Sequence, residues 1–570
     1  MKRLSSHITN NCVIKKRKIT KTYFIVPNDV LIKYISNNLD LNDIISLSLL
    51  SKKYNNIFTH KYFWYERFKN DFNNNYNSKK KWEENYKDKL KEFKSIDSPK
   101  RKLLWAISNS YYPLVKKLIN KYLITHKFIF DDTFDYLNNS INGDDTKIFK
   151  LLKSYIIDFK IHINNLICSV CKKGYINFFE YLSKYNKNFD ITDENGNNLL
   201  TLACNSNNYE LVENLLKKEA DPNKKNKDNT TALYHTASIG NLNIIILLEK
   251  YGVNINPIDS KPPITIAAMK NHINIVKYFL NNSININQNN YFDFSPLYVS
   301  SQEGHFDIVE LLLSKSWINI NDNNYRGYTP LYVAARNGHK NIVKLLISRG
   351  ANPNSIGGDS STPLYVASQN GFHKVVKLLL KNNVNADNTL FSGYTPLYIA
   401  SQNGHSKVIN ELLKIKNIDV NRIVPNGSTA LYVASQNGHY ETVKLLLEFG
   451  ANVSLYYSNG SNPLFKAAQK GHIGVVKILL ENGTDVNIQT DRKATPLYIA
   501  CQKNHIDVVK LLLNSGADIN IQFENGYTPL HIACVKNNKV IIKILLENGA
   551  DKTIKDNNGR LPLELCYQKE

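Results

Sequence analysis

One phrase recurs along this chain at an almost constant interval, and that interval restricts the folds the chain can adopt. Residues 431–439 read LYVASQNGH, and close copies stand at 331–339, 364–372 and 397–405. We call the first apolar residue of each copy its register residue. The register residues are Leu200, Leu233, Ile264, Leu297, Leu331, Leu364, Leu397, Leu431, Leu464, Leu497, Leu530 and Leu563. They lie 31 to 34 residues apart, which excludes independent globular domains and indicates a tandem array.

Each unit of the array reads as two short helices and a connector, as residues 328–354 illustrate. Thr329 can cap a helix with its hydroxyl, and Pro330 suits the first helical position, where no N–H is needed. Gly338 and His339 interrupt that helix, and Gly350 ends the second one in a left-handed conformation. The apolar stripe of the second helix consists of Ile342, Val343, Leu345 and Leu346. One unit cannot bury this stripe alone, so the units must stack.

The period of 33 residues, with Thr-Pro-Leu-x-x-Ala-Ala, then Gly-His, then an apolar second helix, resembles the ankyrin repeat. The resemblance implies an all-α fold, a solenoid of helix pairs with projecting β-turn loops. Tyr usually follows the register residue where the family favours His, as at Tyr332, Tyr365, Tyr398 and Tyr432. We expect regular repeats over 199–570, ending in a capping repeat. Weaker copies at Leu104, Tyr136 and Ile167 lack the Thr-Pro pair and predict degenerate repeats over 101–198.

A second signal lies near the N-terminus, where residues 26–68 favour three short helices with bulky apolar faces. The order of residues from Val26-Pro27 to Phe63-Trp64 resembles an F-box and predicts a small three-helix F-box-like domain over 24–72; a generic helical module is the alternative. The F-box family docks on the Skp-type linker subunit of a cullin-based ubiquitin ligase. The residues to which the resemblance assigns this contact are Val26, Pro27, Val30, Leu31, Ile35, Leu39, Leu47, Leu50 and Trp64.

The segment before this module is strongly basic. Residues 1–23 read as a disordered basic tail, and 73–100 as a linker with a trailing helix. Lys2-Arg3 and Lys15–Lys18 have the spacing of a two-part nuclear import signal, although clustered like charges also describe any solvated tail. We find no apolar run near the roughly 18 to 20 residues of a membrane span and no signal-peptide core. We therefore expect a soluble, intracellular protein of the cytoplasm that does not bind membranes, with entry to the nucleus as the alternative.

Rows of histidine invite a metal-binding interpretation, which the register argues against. The seven histidines that stand eight residues after a register residue are His272, His305, His339, His405, His439, His472 and His505. Each belongs to a different repeat, and stacked repeats lie about 10 Å apart. A zinc ion needs its ligands at about 2 Å. We predict instead that each ring packs against, and hydrogen-bonds to, the loop between helices.

The cysteines give a similar answer. Cys171, Cys204, Cys501 and Cys534 stand four residues after a register residue, where other repeats carry Ala or Ser. This position therefore needs only a small side chain between closely packed helices. The CSVC of 168–171 lacks a second Cys pair to complete a zinc site. No phosphate loop, HExxH or GxSxG is present either. We expect no metal, no cofactor and no enzymatic activity.

Aromatic residues are frequent at the turn tips of the array. They are either interface anchors, which Tyr and Arg often form, or rings that stack along the array. As target-binding residues we select Tyr291, Phe292, Phe294, Tyr325, Arg326, Tyr328, Phe391, Tyr394, Tyr456 and Tyr457.

Together the two resemblances predict a monomeric, non-enzymatic adaptor that links a target protein to a ubiquitin ligase. The combination is similar to the ankyrin/F-box proteins of large DNA viruses. The first alternative is a scaffold that sequesters partners without ubiquitination. The second is a nucleic-acid binder, which the net charge of +23 permits but no recognised reading motif supports.

Overall fold

The computed structural model is all-helical, as the sequence predicts. It describes residues 92, 95–96, 99–109, 111–112, 114–116, 118–119, 133–141, 146–154, 162–257, 260–282, 294–382, 384–387, 393–457 and 459–566. Across these residues there is no β-strand, and one isolated bridge joins Thr192 to Asn198. None of the described helices combines the length and apolarity that crossing a bilayer requires.

The described helices are short and come in pairs. In chain order they are α1 (Pro99–Ser108), α2 (Thr133–Ser140), α3 (Lys147–Lys153), α4 (Ile163–Lys173), α5 (Ile176–Ser183), α6 (Leu199–Asn205), α7 (Tyr209–Lys217), α8 (Ala232–Ile239), α9 (Leu242–Lys250), α10 (Pro263–Met269), α11 (Ile273–Asn281), α12 (Pro296–Glu303), α13 (Phe306–Leu313), α14 (Pro330–Arg336), α15 (Lys340–Ser348), α16 (Pro363–Gln369), α17 (His373–Leu380), α18 (Pro396–Gln402), α19 (Ser406–Leu413), α20 (Ala430–Asn437), α21 (Tyr440–Glu448), α22 (Pro463–Lys470), α23 (Ile473–Glu481), α24 (Pro496–Gln502), α25 (Ile506–Asn514), α26 (Pro529–Val535) and α27 (Lys539–Glu547). A 3₁₀-helix, Pro562–Cys566, follows α27.

The chain divides into two compact units. The first takes the described residues up to Ala232 together with Lys250–Gly252. In it α2 packs against α1, α3 and α4, while α4 also packs against α5 and α6. Phe149 and Phe178 meet edge to face with ring centroids 5.6 Å apart, and both rings are fully buried. Helices thus occupy the positions of all three degenerate copies; the domain borders stay a prediction.

The second unit contains Leu233–Glu249 and Val253–Glu570. From α10 onward, the first helix of each repeat packs against the first helices of its neighbours, and the second helices form a parallel row. Each second helix also packs on the first helix of its own repeat. The last register residue, Leu563, lies in the 3₁₀-helix, which packs on α26.

Local signals place the helix ends as the sequence predicts. The hydroxyl of Thr329 accepts a hydrogen bond from the backbone N–H of Tyr332 at 3.2 Å, and Pro330 opens the helix. Gly338 and Gly350 adopt left-handed φ values of 79° and 91°. In α15 the buried residues are Ile342, Val343 and Leu346, while Leu345 is half-buried.

Candidate functional site

The repeated Gly-His pair joins neighbouring repeats. The seven histidines that stand eight residues after a register residue all contact the preceding repeat. In each, Nε2 lies 2.9–3.1 Å from a backbone carbonyl oxygen, that of the residue five positions after the preceding register residue. For example, Nε2 of His472 lies 3.1 Å from Gln436 O. The imidazole also lies against the glycine of the preceding repeat, since a Cβ built on Gly438 would be 2.6 Å from His472 Nδ1. The rings pack and hydrogen-bond as predicted, but the acceptor lies in the last turn of the preceding repeat's first helix and not in the loop between helices.

The asparagine before that glycine has a second joining role, which the sequence did not reveal. Asn403 Nδ2 donates to Gln369 O at 2.9 Å, the same carbonyl oxygen that His405 approaches. Four asparagines six residues after the register residue make this contact with the preceding repeat: Asn337, Asn370, Asn403 and Asn437. We call it the asparagine brace. Much of the Gln-Asn-Gly-His phrase is therefore structural.

The small-residue position is buried in each regular repeat from Leu200 to Leu530 and, in the degenerate copies, at Ser140 and Cys171. All four cysteines predicted to lie there, Cys171, Cys204, Cys501 and Cys534, are at most 1% exposed. Burial raises the pKa of Cys501, and burial followed by Asp193 raises the pKa of Cys168 to about 11. Their thiolates, the nucleophilic and metal-binding form, are disfavoured at neutral pH. In the part of the chain that the structure describes, no three His, Cys, Asp or Glu side chains form a metal-binding group.

Three of the predicted target-binding tyrosines are half-buried and stack on the tyrosine that follows a register residue. Tyr328 stacks on Tyr332 with ring centroids 4.5 Å apart. Tyr457 stacks on Tyr432 at 5.4 Å, and Tyr394 tilts against Tyr398 at 5.0 Å. Phe294 contacts Tyr298 in the same way and is 39% exposed. Two of these four rings, Tyr328 and Tyr457, are stacked and the other two are tilted, and all four are in contact with a ring of a first helix.

Other tip residues leave their side chains in solvent. Tyr325 and Tyr456 are each 67% exposed, and the exposed Arg326 guanidinium lies 5.2 Å from the Tyr325 ring centroid. Ile356 and Ile423, which the sequence prediction missed, are each 58% exposed. They could have been found by register, because Ile356, Ile423 and Tyr456 all stand eight residues before a register residue. Tyr291, Phe292 and Phe391 lie outside the described residues.

The tyrosine after the register residue also reaches the next repeat. Tyr332 OH lies 2.6 Å from Ser361 Oγ, and Tyr432 OH lies 3.0 Å from Ser461 Oγ. Ser461 Oγ in turn donates to Asn459 Oδ1 at 2.6 Å. Burial raises the pKa of Tyr432, so the neutral phenol is the form that makes these bonds. The hydroxyl fixes the turn tip of the following repeat.

Comparison with known families identifies the array. The family of ankyrin repeats (3 copies) matches residues 103–226, 200–290, 264–357, 354–424, 417–490 and 483–556. The chain belongs to the ankyrin repeat family. The F-box domain family matches residues 27–66, at the position the sequence predicts. That segment, and with it all nine predicted Skp-contact residues, lies outside the described residues.

Individual ankyrin repeat proteins share parts of the chain. An ankyrin repeat protein of Rickettsia bellii (strain RML369-C) is 33% identical over 126 residues, which are 21% of this chain and 18% of the relative. This chain therefore spans less than a fifth of that relative's length. The crystal structure of the human ASB11 ankyrin repeat domain is 30% identical, with a TM-score of 0.35, and the likeness covers 37% of this chain and 94% of that domain.

His531 shows what the family's usual residue does where this chain mostly carries Tyr. His531 Nδ1 accepts from the Thr528 backbone N–H at 3.1 Å, so the proton on Nε2 can bond to Arg560 O at 3.3 Å. Burial lowers the pKa of His531 and favours this neutral ring. Both residue types therefore reach the next ankyrin repeat, the His to a backbone carbonyl and the Tyr to a serine hydroxyl.

Proposed function

We propose that this protein is a non-catalytic adaptor that joins a target protein to a cullin-based ubiquitin ligase. The observation that carries the proposal is the presence of an F-box match at 27–66 and ankyrin repeats across 103–556 in one chain. Both families are protein-interaction modules. The F-box would dock on a Skp-type linker subunit through the predicted residues, which include Leu31 and Trp64.

The ankyrin array would hold the target. Its tips supply four exposed side chains with large apolar surfaces: Tyr325, Ile356, Ile423 and Tyr456. Exposed aromatic residues beside polar neighbours are suited to anchoring a protein interface. Joining two binding events in one chain raises the effective concentration of target near the ligase, so no catalytic group is needed. Such an adaptor would act in the cytoplasm, and in the nucleus if the two basic clusters serve as an import signal.

A retention assay tests the adaptor. Immobilised wild-type chain should retain a recombinant Skp-type subunit, and the Leu31→Asp/Trp64→Ala variant should not. Tyr456→Ala, at the opposite end of the chain, is the matched control and should retain the subunit as wild type does. Unchanged amide hydrogen exchange in the array would show that the double variant keeps its ankyrin fold.

Two results would reject the adaptor. If wild type and double variant both fail to retain the subunit, the protein is a scaffold that sequesters its partner. If both retain it equally, the contact does not use the F-box.

A further inference from the structure

One repeat carries a lysine at a position that is apolar in its neighbours. Lys466 stands two residues after the register residue, where the adjacent repeats have Val433 and Ile499, 4% and 5% exposed. Lys466 is half-buried, and its Nζ donates to Gln469 Oε1 at 3.1 Å. Burial, and then the charge of Lys470, lowers the pKa of Lys466. A neutral amide is thus the observed partner of an ammonium in a poorly solvated position.

The same end of the array lacks the asparagine brace. Six residues after the register residue, four successive repeats from 331 to 437 carry an Asn that bonds to the preceding repeat. The next three repeats carry Lys470, Lys503 and Lys536 instead, all exposed. A repeated hydrogen bond between neighbours has been replaced, three times in succession, by a positive charge.

Helix electrostatics explain only part of this pattern. A cation at a helix C-terminus interacts favourably with the helix dipole, which accounts for a lysine at the end of α22, α24 or α26. It does not account for Lys466, which lies in the middle of α22. Within the described residues, none of the four lysines forms an ion pair with a carboxylate. The charges are therefore available to an external anion.

Together we call these residues the lysine strip: Lys466, Lys470, Lys503 and Lys536. We propose that the lysine strip binds an acidic, extended segment of the target protein. Packed helices lie about 8–10 Å apart, and an extended chain advances about 3.3 Å per residue. An Asp or Glu at about every third position of such a segment would meet one repeat after another. The inference rests on the proposed function, in which the array holds the target.

The test exploits the repeats themselves. The strip variant Lys466→Val/Lys470→Asn/Lys503→Asn/Lys536→Asn puts at each position a residue that other repeats of the same array carry there, so it should fold. The control variant removes the same charge from exposed lysines of the second helices: Lys444→Asn/Lys477→Asn/Lys510→Asn/Lys543→Asn. The probe is fluorescein-labelled decaglutamate, followed by anisotropy with the full chain at about 50 mM salt, where screening is moderate.

We expect the strip variant to bind decaglutamate at least about tenfold more weakly than wild type, and the control variant to lose less than about threefold. Equal losses would show a net-charge effect and overturn the site. Unchanged binding by the strip variant would overturn it as well. So would tighter wild-type binding of ten-nucleotide single-stranded DNA than of decaglutamate, because the strip would then be a nucleic-acid site.

Retention of the Skp-type subunit, measured in parallel, separates the two proposals. The strip variant keeps residues 27–66 intact and should retain that subunit as wild type does. If wild type fails to retain the subunit but still binds decaglutamate, the adaptor proposal is rejected and the lysine-strip proposal stands.

Discussion

The contact between Gly438 and His472 offers a sharp test of how neighbouring repeats are joined. Gly438 has φ of 78°, and a Cβ there would come within 2.6 Å of His472 Nδ1 and 2.7 Å of its Cε1. Gly438→Ala must therefore displace the ring and disturb its 3.1 Å contact with Gln436 O. Gly450 is the matched control, since its φ is 83° and nothing lies within 4 Å of its added Cβ.

Gly438 and Gly450 have similar left-handed backbones, and they differ in whether another side chain lies against the added Cβ. A left-handed Ala costs about 1–2 kcal/mol at either position. At Gly438 the lost hydrogen bond adds about 1 kcal/mol, and the displaced ring adds a packing loss of similar size. Gly438→Ala should thus destabilise its repeat by about 3–4 kcal/mol, against about 1–2 kcal/mol for Gly450→Ala.

Amide hydrogen exchange suits this measurement, because long repeat arrays do not unfold in one step. A difference of about 1.4 kcal/mol is tenfold in protection, so α20 and α23 should exchange at least about tenfold faster in Gly438→Ala than in Gly450→Ala. In the His472→Ala background, Gly438→Ala should cost only about 1–2 kcal/mol for its left-handed backbone, because the ring that it would displace is already absent. Equal exchange in both single variants would refute the claim that the imidazole holds the joint.

Three further predictions follow from buried polar groups. Ser401→Ala should stabilise its repeat by about 1 kcal/mol in hydrogen exchange, because the fully buried Oγ has no hydrogen-bond partner among the residues that the structure describes. Tyr332→Phe should cost about 1 kcal/mol through its lost bond to the next repeat, whereas Tyr365→Phe, whose hydroxyl has no such bond among the described residues, should cost clearly less. Burial would raise the pKa of Asp556, but the backbone N–H and guanidinium of Arg560 outweigh it and lower that pKa. Since an unfolded Asp has a pKa of about 3.9, its stabilisation is complete above that pH and is lost as pH falls through the lower folded value. Protection of α27 should therefore fall in acid more steeply in wild type than in Asp556→Asn.

Features that depend on neighbours within a few residues could be predicted from sequence. Thr329 and Pro330 mark a helix start because capping involves the next three residues. Gly350 marks a helix end because its left-handed backbone is a local property. The buried small-residue position was also predictable, since the exchange of Ala, Ser and Cys there shows that size alone is selected.

Features that link residues about 30 positions apart could not be predicted in the same way. Nothing local in the phrase shows that Asn403 and His405 share the carbonyl of Gln369, because the geometry arises only when two repeats stack. The same holds for the contact of Tyr457 with Tyr432, because only the stacking of two repeats decides which of the two alternatives, ring contact or interface anchor, applies to its buried face. Lys466 could have been noticed by placing the repeats in register, where it interrupts a column of Val and Ile.

The joints made by the seven histidines eight residues after a register residue, and by the asparagine brace, run backward, from a side chain of one repeat to a backbone oxygen of the repeat before it. A repeat of this kind therefore carries the side chains that bond to the preceding repeat and the carbonyl oxygen that the following repeat contacts. A gene duplication that inserts one more such repeat places the same hydrogen-bonding groups next to both of its neighbours. The array can then be lengthened without compensating changes in other repeats. The number of repeats can therefore change during evolution independently of their individual sequences.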